Sequence, residues 1–123
     1  MYTYSFEKLE VWIEAKELTK IVYSITSQFP ETEKFGLTSQ LRRASISICS
    51  NLAEGSTRTT ARDQAHFSSI SFGSSIEVLN QIILAFELGL ISDGEYVTLR
   101  TLIEDLTRKI NALRNHQLSR INK

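Results

Sequence analysis

Residues 29–55 read FPETEKFGLTSQLRRASISICSNLAEG, and the fold turns on how this stretch lies on a helix. It holds the only proline, the only cysteine and two of the five glycines of the chain. Placed on a helical wheel, Gln40, Arg43, Ser47, Asn51 and Glu54 fall within about 80° of one another and form a continuous polar stripe. Leu37, Leu41, Ala44, Ile48 and Leu52 form an apolar stripe beside it. A surface helix ordinarily opposes its apolar face with Lys and Glu; here short, shape-specific polar side chains abut the apolar ones. Such groups suit a buried network or a binding surface.

Upstream of Pro30, the apolar positions Phe6, Leu9, Trp12, Ile13, Leu18, Ile21, Val22, Ile25 and Phe29 recur at threes and fours, which predicts an amphipathic helix over 6–28. Pro30 lacks an N–H and restricts Phe29, so that helix stops near Gln28. Trp12 and Tyr23, at helical spacing among aliphatics, read as packing residues rather than ligand-stacking ones. The second helix, 36–55, closes on Gly55, a residue free to take the left-handed conformation that ends helices. Adjacent Arg42 and Arg43 point about 100° apart, so Arg43 is expected on the polar stripe in a paired setting and Arg42 outside it.

Thr60 followed by Asp63 resembles a capping box and opens a third helix, 60–88. Its first half is crowded with Ser68, Ser69, Ser71, Gly73, Ser74 and Ser75, which allow close helix approach or a backbone-near ligand. Its second half, VLNQIILAFELGL, is apolar nearly all round, with Val78 and Ile82 opposite Ile76 and Ile83. A helix of that kind needs cover on more than one side, so a second subunit is expected against part of it. Gly89 ends it, and Ser92-Asp93-Gly94-Glu95 is a capping box for a fourth helix, 92–118, with Tyr96, Leu99, Leu102, Ile103, Leu106, Ile110 and Leu113 on its apolar stripe. Four helices with short connectors predict an all-α, single-domain, up-down-up-down four-helix bundle, followed by Asn122-Lys123 as a tail.

At 123 residues the chain is long enough for one proper core. An apolar content of 41% with 23% charged residues is that of a folded protein. Fourteen basic and fourteen acidic residues cancel, which argues against a strong nonspecific polyanion binder. The balance is uneven: residues 1–35 set four lysines against six glutamates, whereas residues 106–123 carry Arg108, Lys109, Arg114, Arg120 and Lys123 with no acid. Two readings of that basic end stand, contact with phosphate and a simple complement to a helix C-terminus. A lone Cys49 permits no internal disulfide, the start MYTYSFEKLEVW has no basic and apolar leader, and the dense apolar run 82–86 is too short to span a bilayer. These point to a cytoplasmic protein with no membrane partner.

No catalytic constellation emerges. His66, His116 and Cys49 lack metal-ligand spacing, so neither a metal nor a cofactor is expected. His66 and Glu77 share a stripe but lie three turns, about 16 Å, apart. Ser45 or Ser47 with His66 would need an orienting acid and an oxyanion donor that no motif supplies, which disfavours an enzyme. Glu54 and Glu77 are the acids most suited to a role, with Arg43 as partner. The two facing polar stripes suggest a network of Arg43, Asn51, Glu54 and Glu77 between the second and third helices; the alternative is a set of independent surface charges.

The segments FEKLEVWIEAKEL, FPETEKFGLTSQLRRASISICSNLAEG and GSSIE (73–77), in that order, resemble the 23S rRNA intervening-sequence proteins of bacteria. The resemblance extends to the accessory proteins of diversity-generating retroelements, which implies a four-helix subunit in a pentameric ring that binds RNA and a reverse transcriptase. The matching positions are Pro30, Glu33, Gly36, Leu37, Gln40, Arg42, Arg43, Ser47, Asn51, Glu54, Gly55, Gly73, Ser74 and Glu77, while Cys49 stands where the family more often has proline. The neutral charge is unlike the strongly basic retroelement proteins and places the chain with the intervening-sequence branch. Two functions compete: a non-catalytic homo-oligomer that contacts RNA through Arg42, Arg108, Lys109, Arg114 or Arg120, and a scaffold or accessory subunit that binds a protein without touching RNA.

Overall fold

The computed structural model describes residues 1–121; Asn122 and Lys123, read above as a tail, lie outside the described residues. Four helices, α1 (Glu10–Thr26), α2 (Leu37–Gly55), α3 (Ala61–Glu87) and α4 (Asp93–Ser119), follow a short 3-10 turn at Ser5–Lys8, and a second such turn, Glu31–Glu33, lies between α1 and α2. Among the described residues α1 packs on α2 and α4, and α3 packs on α2 and α4, while the diagonal pairs do not meet. That arrangement is the square of an up-down-up-down four-helix bundle, all-α and without strands among the described residues.

Each helix contributes its apolar stripe to one core. Leu18 and Val22 of α1, Ile48 of α2, Val78 and Ile82 of α3, and Ile103 and Ile110 of α4 are all buried. A small apolar void of about 10 Å³ lies between Val22, Leu41, Ile82 and Leu99. The helix ends follow local chemistry. Ser92 Oγ accepts from Glu95 N (3.1 Å) and Glu95 Oε1 accepts from Ser92 N (2.8 Å), a complete capping box. Gly89 takes φ +74°, and Leu90 N donates to Ala85 O at 2.8 Å to close α3.

Three expectations are corrected. The first helix does not run unbroken from residue 6, because Leu9 is extended (φ −73°, ψ 121°) and divides the 3-10 turn from α1. This bend lets Phe6 fold back edge-on against Trp12, with ring centroids 5.0 Å apart. Gly55 is not a left-handed terminator. Among the described residues only Gly89 has positive φ; Gly55 lies within α2, where a Cβ would stand 2.9 Å from the Cβ of Phe67. Its lack of a side chain serves the close approach of α2 and α3. Thr60 makes only half of its box: Oγ1 accepts from Asp63 N at 3.1 Å, without a return bond from the shorter Asp63 side chain.

The serines of α3 explain how it packs so closely. Ser71 Oγ donates to Ile48 O of α2 at 3.1 Å, and Ser68 Oγ donates to Gln117 Oε1 of α4 at 2.7 Å. Small side chains bring the backbones near, and each buried hydroxyl finds an acceptor. By length and composition α3 could cross a membrane, but it lies between α2 and α4 with nine of its residues buried. Helix α2 continues through Cys49 without interruption.

Candidate functional site

The polar stripe of α2 faces α3 as three separate groups rather than as one network. At one end Arg43 forms an ion pair with Glu77 and donates to Gln40 Oε1 (3.1 Å), while Gln81 Nε2 donates to Glu77 Oε2 (3.3 Å). In the middle, Ser47 Oγ and Ser74 Oγ are 2.8 Å apart, and Asn51 Nδ2 donates to Ser47 O (2.9 Å) and Oγ (3.2 Å). Glu54 turns outward to Arg58, 3.9 Å away in the connector that follows α2. The single network expected of Arg43, Asn51, Glu54 and Glu77 is therefore not formed. The reason is reach: Asn51 is satisfied by the carbonyl and hydroxyl one turn back, and Glu54 has a cation at i+4.

This seam lies at the surface. The Arg43 and Glu77 side chains are 55% and 36% exposed, so the pair is screened by water and holds register more than it adds stability. Gln81 is the exception. It is buried, and among the described residues its Oε1 accepts no hydrogen bond.

Arg42, expected outside, is half-buried between α1 and α2. Its Nε donates to Thr26 Oγ1 (2.9 Å), and its guanidinium lies 4.5 Å from the centroid of Tyr23. Thr26 and Tyr23 sit at the end of α1, where a hydroxyl and a ring face are available; sequence spacing on α2 alone could not reveal them. Arg42 borders an open cleft of about 220 Å³ lined by Thr26, Pro30, Lys34 and Thr38.

The other four cations proposed for RNA also have partners within the chain, although Arg108 and Arg120 are exposed. Lys109 lies 2.6 Å from Glu14, 2.9 Å from Glu10 and 3.2 Å from Asp105. Hydrogen bonds to Glu14, then Glu10, then Asp105 hold its pKa well above the ordinary 10.5, and the bond from Lys109 is the largest cause lowering Asp105. Arg108 also pairs with Asp105. The Arg114 guanidinium stands 4.6 Å from the centroid of Phe72 and bonds Asn111; Arg120 donates to Gln64 at 3.1 Å. The acidic start and basic end noted in the sequence are thus partly complementary surfaces of α1 and α4.

Chemistry of the catalytic kind is not assembled at the residues considered for it. Ser45 is fully buried and donates to Arg42 O (3.0 Å), Ser47 is engaged with Ser74, and His66 is exposed, edge-on to Phe67. Among the described residues no group of three or more His, Cys, Asp or Glu is placed to hold a metal ion.

One feature escaped the reading of the sequence. Tyr2, Tyr4, Phe6 and Trp12 form a continuous row of rings, with successive centroids 4.9, 6.4 and 5.0 Å apart. Tyr2 and Tyr4, two apart ahead of the first turn, share a side as in an extended segment, and the 3-10 turn at Ser5–Lys8 carries Phe6 on to Trp12.

No curated protein matches the chain. The model of the 23S rRNA-intervening sequence protein family matches residues 7–112. That span takes in the second and third motif segments, all of the first but Phe6, and both faces of the α2–α3 seam, and the protein belongs to the 23S rRNA-intervening sequence protein family.

Proposed function

We propose that this protein is a non-catalytic, self-associating helical bundle that works in the cytoplasm in contact with RNA. The observation that carries self-association is the outward face of α3. Ile70, Gly73, Glu77, Leu84 and Leu88 fall within about 60° on the wheel, with Ile76 at their edge. Leu88 is 65% exposed, and a Cβ at Gly73 would meet nothing within 4 Å. Exposed leucines and isoleucines beside a bare mid-helix glycine suit a second subunit laid closely against α3. A ring of five is the assembly implied by the resemblance.

The RNA half of the proposal rests on the family, whose description places these proteins with insertions in ribosomal RNA. Native mass spectrometry of protein purified without nuclease tests both halves at once. The expected result is an oligomer, five subunits on the ring reading, carrying heterogeneous RNA mass. A clean monomer at working concentration overturns self-association, and a clean oligomer removes the RNA.

A second reading, a scaffold or accessory subunit for a protein such as a reverse transcriptase, is favoured by the engagement of all five candidate cations within the chain. Partner capture that survives nuclease treatment would select it.

A further inference from the structure

We propose that the aromatic row Tyr2–Tyr4–Phe6–Trp12, with Lys16 at its inner end, is a stacking surface for unpaired bases of single-stranded RNA. This rests on the RNA reading above and names the surface and the form of RNA. Tyr2 and Tyr4 are 79% and 61% exposed, an arrangement that leaves broad π-faces in water. Tyr2 meets Tyr4 at 79° between planes, Tyr4 and Phe6 stack at 26°, and Phe6 meets Trp12 at 76°. The row is therefore a stepped strip of rings rather than a closed cluster. Its inner end is fixed by Phe6 and Trp12, both half-buried and packed on the start of α1.

The charges around the row decide the occupant. The Glu7 carboxylate accepts from Tyr4 N at 2.8 Å, and Glu10 and Glu14 are held by Lys109. Lys8 and Lys16 are exposed, and among the described residues neither has a carboxylate within 4.0 Å. Lys16 Nζ stands 5.2 Å from the centroid of Trp12. Exposed rings with an ammonium group against the inner one, and no carboxylate on that ammonium, match a strand whose bases stack and whose phosphates are anionic. A duplex hides its base faces and would engage only the lysines.

Trp12 is the only tryptophan of the chain, so its fluorescence reports the site directly. The test titrates the full chain with a short single-stranded oligoadenylate and with a base-paired RNA hairpin, at low salt, following Trp12 emission and the anisotropy of labelled RNA. Oligoadenylate is expected to quench Trp12 and to bind more tightly than the hairpin. The Tyr2→Ala/Tyr4→Ala variant should bind it about tenfold or more weakly with unchanged circular dichroism. Lys16→Gln should flatten the salt dependence.

RNA binding without quenching, or equal binding by the tyrosine variant, overturns the stacking surface and leaves the RNA reading intact. Binding of neither RNA overturns both. A tyrosine variant that changes subunit number but binds oligoadenylate like the wild type identifies the row as a subunit contact and overturns the proposal. Quenching by a proline-rich peptide but not by oligoadenylate does the same in favour of a protein partner.

Discussion

Lys109 in the second half of α4 and Glu14 in the first turns of α1 meet at 2.6 Å, although 95 residues separate them in sequence. With Glu10 and Asp105 added, one ammonium serves three carboxylates. This contact joins the two helices that close the bundle.

Lys109→Met should lower the melting temperature at neutral pH, because it leaves three carboxylates facing one another. The deficit should shrink in high salt. The pH dependence has a defined sign. Asp105 is depressed below its ordinary 3.8, so its contribution is present above that value and lost as pH falls through the lower folded value. Lys109 is raised above 10.5, so its contribution is whole below 10.5 and lost as pH rises through the folded value. Thermal melts of both proteins from acid to alkaline pH check this: the gap should be widest between those limits.

Gly55 and Gly73 should respond oppositely to alanine. At Gly55 the new Cβ would stand 2.9 Å from Phe67 Cβ, so Gly55→Ala should cost about 1–3 kcal/mol. At Gly73 nothing lies within 4 Å, so Gly73→Ala should stabilise the isolated subunit by roughly 0.5–1 kcal/mol through helix propensity. Denaturant melts separate the two. Gly73→Leu, read by sedimentation, should weaken assembly if the α3 face is the subunit contact.

The bond between Ser68 Oγ and Gln117 Oε1, 2.7 Å and buried, is a polar link of α3 to the last turns of α4. Ser68→Ala strands the Gln117 oxygen and should cost about 1–3 kcal/mol. Replacing both, Ser68→Ala with Gln117→Leu, should recover part of that loss. A double-mutant cycle by urea denaturation measures the coupling, and strict additivity would show that the bond contributes nothing.

Burial pushes the Cys49 thiol pKa up, against a weaker lowering by Thr19, whose Oγ1 lies 3.4 Å from Sγ. A raised pKa means little thiolate at neutral pH. Cys49 should therefore react with Ellman's reagent much more slowly in the native protein than in urea. Equal rates would place the thiol in open solvent.

The amino-acid sequence by itself determined the four helices, their order and their inner faces, because apolar residues at threes and fours leave a chain of this length one compact way to hide them. Leu41, Ile48, Val78, Ile82, Ile103 and Ile110 are buried as their spacing implies. The capping box at Ser92–Glu95 and the turn at Gly89 are equally local and equally legible. What each polar side chain meets was decided by tertiary structure, since a partner on another helix has no fixed sequence distance. Arg42 finds Thr26 at the end of α1, Lys109 finds Glu14, and Glu54 turns away from the seam that its wheel position predicts. Gly55 looks like a terminator from its own neighbours and proves to be a point of contact because Phe67 of another helix stands over it. The aromatic row likewise needs the bend at Leu9, which brings Phe6 back onto Trp12 and leaves Tyr2 and Tyr4 in water.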